Sequence, residues 1–170
     1  MVPTPAIDGL CAVVAAFEHD GEAAAAVRAL KYGRSTVVVA ELADALAPLA
    51  PRAGAVTWVP STKRHRRRRG FDPSELLARA VGRRIGRPAV RLLRRCDSVA
   101  QTERDRIGRR AGPDLRTVAR LGPYPSSVLL VDDVCTTGST LRAAAAVLRA
   151  RGVISVAAAV ATTVRSDQVV

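Results

Sequence analysis

Val128-Leu129-Leu130-Val131-Asp132-Asp133-Val134-Cys135-Thr136-Thr137-Gly138-Ser139-Thr140-Leu141 decides how this chain is read. Its short apolar run has the pattern of a buried strand. Two adjacent carboxylates end that run, a loop of hydroxyls around one glycine follows, and an amphipathic helix begins after it. At the carboxyl end of a parallel strand, such a loop and the next helix N-terminus offer free backbone N–H groups and the positive end of a helix dipole. A phosphate monoester fits there. Thr136, Thr137, Ser139 and Thr140 add hydroxyl donors, and Gly138 lets the backbone approach a ligand without a Cβ. Asp132 and Asp133 would repel the phosphate. They suit sugar hydroxyls, or a metal ion reached directly or through water. Phosphate and diol together describe a ribose 5-phosphate. The loop lacks the Gly-Lys-Ser/Thr of a Walker P-loop and the Gly-x-Gly-x-x-Gly of a dinucleotide site.

Outward from this stretch, apolar strands alternate with helical patterns. Leu10 to Glu18 reads as a strand or the start of a helix. Glu22 to Tyr32 is an Ala-rich helix ending at Gly33. Ser35 to Leu49 is a second helix, stopped by Pro48 and Pro51. Ala55 to Val59 is a buried strand. Asp72-Pro73-Ser74-Glu75 opens a helix that runs to Ile85, with Asp72 as N-cap and proline at the first position. Ala89 to Leu93 reads as a strand, Arg94 to Gly112 as a long mobile loop, and Leu115 to Leu121 as a short strand. After the loop, Leu141, Ala144, Ala145 and Leu148 share one helix face, and Gly152 caps it. Val153 to Val164 is the last strand. The order predicts an α/β fold: three layers, an open and mainly parallel sheet with flanking helices, and ligands outside the carboxyl ends of the strands. We expect one domain over residues 10–164, with loose ends at 1–9 and 165–170.

Charge is uneven. The net charge is +12, and residues 63–110 alone carry 17 Lys/Arg against 5 Asp/Glu, so one segment creates the whole imbalance. Its partner is a polyanion, either a pyrophosphate-bearing ligand or a nucleic acid. No apolar run approaches membrane-span length and no signal peptide is evident, so the cytoplasm is the expected location and no membrane partner is expected. Cys11, Cys96 and Cys135 are far apart without Cys-x-x-Cys pairing, which argues against zinc and against a disulfide framework.

At Val128–Thr140 the sequence resembles the type I phosphoribosyltransferases, whose signature is an apolar strand, two acids and a loop of the form x-Thr-Thr-Gly-x-Thr. The resemblance implies that Asp132 and Asp133 hold the ribose hydroxyls of phosphoribosyl pyrophosphate (PRPP), and that Thr136, Thr137, Gly138, Ser139 and Thr140 hold its 5-phosphate. It implies a pyrophosphate loop at the end of an earlier strand. Ser61, Thr62, Lys63 and Arg64 stand in that position. Within the family the closer likeness is to the competence-associated ComF branch. It rests on Ala29-Leu30-Lys31-Tyr32-Gly33-Arg34, on Val59-Pro60 before the basic run, and on Arg69-Gly70-Phe71-Asp72-Pro73-Ser74-Glu75-Leu76-Leu77-Ala78. Leu92-Leu93-Arg94-Arg95 and Gln101 continue it in order.

The resemblance implies a PRPP-dependent transferase that passes phosphoribosyl to a nitrogen acceptor and releases pyrophosphate, with Mg²⁺ arriving with PRPP rather than on a direct side-chain ligand. A flexible loop with Gln101, Arg104 and Arg109 is expected to close over the site. No catalytic side chain is named, and His19 and His65 receive no role. The chain departs from the branch in lacking its Cys-rich zinc ribbon, in the Asn missing after Gln101, and in having Thr136 where some relatives have Asp. The alternative is a non-catalytic PRPP-, nucleotide- or DNA-binding protein linked to competence and DNA uptake, with nucleic acid on residues 63–69. Another ribose 5-phosphate ligand and a homodimer stay open.

Overall fold

A computed structural model describes residue 4 and residues 6–18, 20–32, 35–96, 112–119 and 123–162. In chain order the elements are β1 (Leu10–Glu18), α1 (Gly21–Tyr32), α2 (Thr36–Leu46, continued by a 3₁₀ turn Ala47–Leu49), β2 (Ala55–Trp58), α3 (Lys63–Arg69) and α4 (Pro73–Arg84). Then follow β3 (Leu93–Arg95), β4 (Leu115–Thr117), β5 (Ser127–Cys135), α5 (Ser139–Arg149) and β6 (Ile154–Thr162). Four strands form one parallel sheet in the order β1-β6-β5-β2. β3 and β4 make a separate antiparallel pair.

β5 is inside the sheet and buried on both faces, which is why its sequence reads as an unbroken apolar run. Its side chains still alternate. Leu129 and Val131 join Val27, Leu30, Leu42, Leu46, Leu77 and Val81 of α1, α2 and α4 in one core. Val128 and Leu130 join Leu141, Ala144 and Leu148 of α5, with Leu92, Leu93 and Leu115, in the other. The result is the three-layer α/β sandwich that the alternating pattern predicts, with β5 at its centre.

Local chemistry explains the details. Leu10–Glu18, readable as strand or helix, is an edge strand beside β6. α2 forms in spite of Val37-Val38-Val39, because the Ser35 hydroxyl accepts the Val38 N–H at 3.3 Å and Leu42, Ala43 and Leu46 are buried. The strand expected at Ala89–Leu93 is reduced to an edge contact. Val56 donates to the Pro88 carbonyl and Val90 donates to that of Val56, after which the chain leaves the sheet to form β3. β5 runs four residues past Val131, so Asp132 and Asp133 lie within the strand and not beyond its end. Ile7, in the stretch expected to be loose, is only 4% exposed, and the Thr4 hydroxyl donates to the Val13 carbonyl at 2.6 Å. Among the described residues no helix is long and apolar enough to cross a membrane.

Candidate functional site

The sheet register builds the site. Trp58 of β2 is level with Val131 of β5, and the Val59 N–H donates to the Val131 carbonyl at 3.1 Å. Pro60-Ser61-Thr62 therefore leaves β2 beside Asp132-Asp133, at the carboxyl edge of two adjacent parallel strands. A cleft of about 290 Å³ opens between them. Lys31, Ser61, Thr62, His65, Arg69, Ser74, Arg95, Asp132, Asp133 and Thr140 give it its polar lining.

The two acids differ in surroundings. Asp133 is paired with Lys31, Nζ to Oδ2 at 2.8 Å. Asp132 is buried at 8% exposure, and its Oδ1 accepts the Asp133 N–H at 2.8 Å. Burial, then the neighbouring Asp133 charge, pushes the Asp132 carboxyl up to about 8, against the Asp133 N–H and the Lys31 charge. Asp132 is thereby held toward its protonated form. Cys135, one turn of the pleat further, is buried, and desolvation and the Asp132 charge hold its thiol above the ordinary value.

The hydroxyl loop closes the other end. Gly138 is the N-cap of α5, at φ +70°. The Thr137 hydroxyl donates to Ser139 Oγ at 3.1 Å and accepts the Ser139 N–H at 3.4 Å. Thr136 and Thr137 are exposed, while Gly138 is buried beneath Ile7. Thr140 faces both the cleft and a pocket of about 20 Å³ that it shares with Asp132, Thr136, Gly138 and Ser139.

The basic run is a helix, which its charge concealed. The Thr62 hydroxyl caps it by accepting the His65 N–H at 3.2 Å, and Gly70 ends it in the left-handed conformation. Helical periodicity then sorts the run. His65 and Arg69, four apart, line the cleft. Lys63 and Arg66, three apart, line a neighbouring cavity of about 250 Å³ with Arg91, Arg94 and Arg95. Arg64, Arg67 and Arg68 are exposed. Desolvation, then the charges of Arg69, Arg64, Arg95 and Arg68, hold His65 below its ordinary value, so it is a neutral imidazole at pH 7.

Asp72 holds the N-cap position of α4, as its sequence predicts, but its side chain makes no capping bond. Its carboxylate accepts the Ser61 N–H at 2.9 Å and the Ser61 hydroxyl at 3.0 Å, and the residue is 4% exposed. It anchors the turn that follows β2. Asp72→Ala is expected to destabilise the fold by about 2 kcal/mol, because a buried N–H loses its partner. Asp72→Asn keeps an oxygen for the N–H and an amide for the hydroxyl, so it is expected to stay within about 1 kcal/mol of wild type. Urea denaturation of the two variants checks this, and equal losses would contradict it.

Of the residues singled out in the sequence, Ser61, Thr62, Asp132, Asp133 and Thr140 share the cleft, while Lys63 lines the neighbouring cavity and Arg64 is exposed. Gln101, Arg104 and Arg109 lie outside the described residues. Lys31, His65, Arg69 and Arg95 are cleft residues that the sequence reading did not assign. A helix-period reading started from the Thr62 cap finds His65 and Arg69. No local signal finds Lys31, whose partner is far along the chain.

The fold is that of the type I phosphoribosyltransferases: a mainly parallel sheet between helices, with an acidic pair and a hydroxyl loop at the carboxyl edge. Residues 91–170, which hold both of those features, match the family model described as Phosphoribosyl transferase domain. A solved structure of the allosteric regulatory enzyme of purine biosynthesis aligns with a TM-score of 0.51 and 21% identity, over 77% of this chain and 30% of that one. The chain thus spans under a third of that enzyme. Adenine phosphoribosyltransferase from Leishmania tarentolae aligns with a TM-score of 0.46 and 15% identity, over 76% of this chain and 73% of that one. The enzyme from Leishmania donovani gives 0.46 and 13%, over 79% and 70%. No curated protein matches the chain.

Proposed function

We propose that this cleft binds PRPP and that the protein is a phosphoribosyltransferase of the ComF branch, moving the phosphoribosyl group to a nitrogen acceptor. One observation carries the reading. The acidic pair and hydroxyl loop on β5 face the Ser61–Thr62 turn on β2 across a single cleft lined by Lys31, His65, Arg69 and Arg95. The loop at Thr136–Thr140 takes the 5-phosphate, Asp132 and Asp133 take the 2′ and 3′ hydroxyls, and the pyrophosphate faces Ser61, Thr62 and the cationic wall.

In transfer, the nitrogen forms a bond to C1 as the C1–O bond to pyrophosphate breaks, and the nitrogen's proton leaves to solvent or base. Positive charge grows on the ring near Asp132 and Asp133, and negative charge grows on the leaving group near Arg69 and Arg95. Catalysis is placement plus fixed charge. The only carboxylates lining the described cleft are Asp132 and Asp133, and Asp133 is paired with Lys31. Mg²⁺ therefore fits as a PRPP complex, held by substrate oxygens, where it would neutralise the departing pyrophosphate.

The exposed face of α3, with Arg64, Arg67 and Arg68, favours a second reading as a PRPP-site protein that holds nucleic acid. Isothermal titration with Mg-PRPP, followed by a pyrophosphate-release screen over bases and amines, tests the first reading. Binding of micromolar order and release with one acceptor class are expected. Absence of PRPP binding would sink it. Binding without release, together with duplex DNA affinity that falls steeply with salt, would favour the second.

A further inference from the structure

Lys31 and Tyr32 end α1; Lys31 lines the cleft, and Tyr32 lies beside it against Arg69, which lines the cleft. Leu30, 1% exposed, pins this last turn to the core. Next to it, Lys31 Nζ lies 2.8 Å from Asp133 Oδ2 on the ribose side. The Tyr32 ring lies under the Arg69 guanidinium, 5.0 Å from its centroid, on the pyrophosphate side. Tyr32 is 62% exposed, so its ring has no place in the core and is open to the guanidinium. Arg69 is the last residue of α3 before the Gly70 turn, so neither helix packing nor an acid fixes its side chain within its own element.

We propose that the Lys31-Tyr32 pair is a positioning device for both halves of the ligand: Lys31 orients the Asp133 carboxylate toward the ribose diol, and Tyr32 is the platform that holds Arg69 toward the pyrophosphate. The proposal rests on the PRPP reading of the cleft and adds two residues to it. The end of one helix thereby couples the two charged walls of the site, Asp133 on β5 and Arg69 on α3.

The electrostatics of the cleft point the same way. The groups around Asp132 are Asp133 on its own strand, Lys31 from α1, Asp72 ahead of α4, His65 and Arg69 from α3, and Arg95 from β3. Burial, Asp133 and Asp72 favour the proton on Asp132, and Lys31 is the cation that most opposes it. Removing Lys31 therefore leaves Asp133 without its partner and moves Asp132 further toward the protonated form. Diol binding, which needs carboxylate acceptors, then develops only at higher pH.

The test separates the two halves of the ligand. Ribose 5-phosphate and pyrophosphate are titrated separately across pH 5.5–9 into wild type, Lys31→Met, Lys31→Arg, Tyr32→Ala and Tyr32→Phe. Carboxyl-carbon NMR follows Asp132 in the ligand-free proteins. Lys31→Met is expected to weaken ribose 5-phosphate about 10-fold at pH 7 and to move its pH midpoint up by about one unit, with Lys31→Arg restoring both. Tyr32→Ala is expected to weaken pyrophosphate about 2- to 5-fold and leave ribose 5-phosphate unchanged, while Tyr32→Phe keeps wild-type affinity. Equal weakening of both ligands with no pH shift, or variants that match wild type, would overturn the proposal while the PRPP reading stands. A wild type that binds neither ligand would overturn the PRPP reading and this proposal with it. Asp132 titrating unchanged in Lys31→Met would overturn the electrostatic half by itself.

Discussion

At pH 9, where Asp132 too is a carboxylate, asparagine in place of both Asp132 and Asp133 is expected to weaken PRPP at least about 100-fold, because two charge-assisted hydrogen bonds become neutral ones and each loses about 1.5 kcal/mol. Asparagine preserves shape and an acceptor oxygen, so the loss reports charge. Stability responds in the opposite sense, and the single variant Asp132→Asn isolates it, since Lys31 keeps its partner. The folded-state value of Asp132 is raised from 3.8 to about 8. Between those values the folded protein holds a proton that the unfolded chain has released. That stabilising contribution is complete below pH 4 and is lost as pH rises through 8. Asp132→Asn removes the buried carboxyl, so its Tm is expected to exceed that of wild type at pH 9 and to vary less between pH 5 and 9. Titration calorimetry of the double variant and thermal melts of the single one measure the two effects. Wild-type affinity in the double variant would remove Asp132 and Asp133 from the binding site. The residue therefore costs stability where it serves binding, as expected of a buried acid at a ligand site.

Gly138→Val is expected to have the second large effect, a loss of about 3–4 kcal/mol of stability together with loss of ribose 5-phosphate binding. Two physical causes add. Gly138 sits at φ +70°, where a residue with a Cβ is strained by about 1–2 kcal/mol and a β-branched one fits worst. A Cβ there would also lie 2.5 Å from Ile7 Cδ1 and 2.9 Å from Cγ1, and crowding of that kind costs about 1–3 kcal/mol. Either adjustment, tilting the start of α5 or displacing Ile7, disturbs the Thr137–Ser139 hydrogen bonds that shape the loop. An Ile7→Ala background separates the causes. There the same substitution should cost less, the difference measuring the clash and the remainder the backbone strain. Urea denaturation and ribose 5-phosphate titration provide the readouts. A fully stable Gly138→Val that binds normally would show that the loop needs neither the left-handed turn nor the close approach.

Much of the architecture was legible because it depends on local pattern. The apolar run of β5 and the i, i+3, i+4, i+7 face of α5 are short-range signals, and both elements form there, β5 continuing through the acids to Cys135. The basic run shows the opposite. Seven residues with six cations carry no apolar periodicity, so nothing in their hydropathy announces a helix. Only the flanking Thr62 and Gly70 do. Adjacent Lys63 and Arg64 looked like a pair of pyrophosphate ligands, yet on a helix adjacent side chains diverge, and His65 and Arg69 take the cleft instead. Asp-Pro-Ser-Glu predicts Asp72 as an N-cap, and Asp72 takes that position without a side-chain capping bond. The carboxylate goes to Ser61 because the turn after β2 brings an unpaired N–H and a hydroxyl within reach.

By itself, the sequence determined the fold class, the central strand, and the acidic pair and hydroxyl loop at that strand's carboxyl end, since each is written in contiguous residues whose spacing encodes its own geometry. Only the tertiary structure decided which cations face them. Lys31 at the end of α1 and Arg95 at the end of β3 reach the cleft of Asp132 and Asp133 through packing between segments far apart in the chain. Only the structure, too, divided the acidic pair: Asp133 lies beside Lys31, whereas Asp132 is buried and held toward its protonated form. Desolvation depends on what covers a group, and covering is a property of the packed layers rather than of any stretch of sequence.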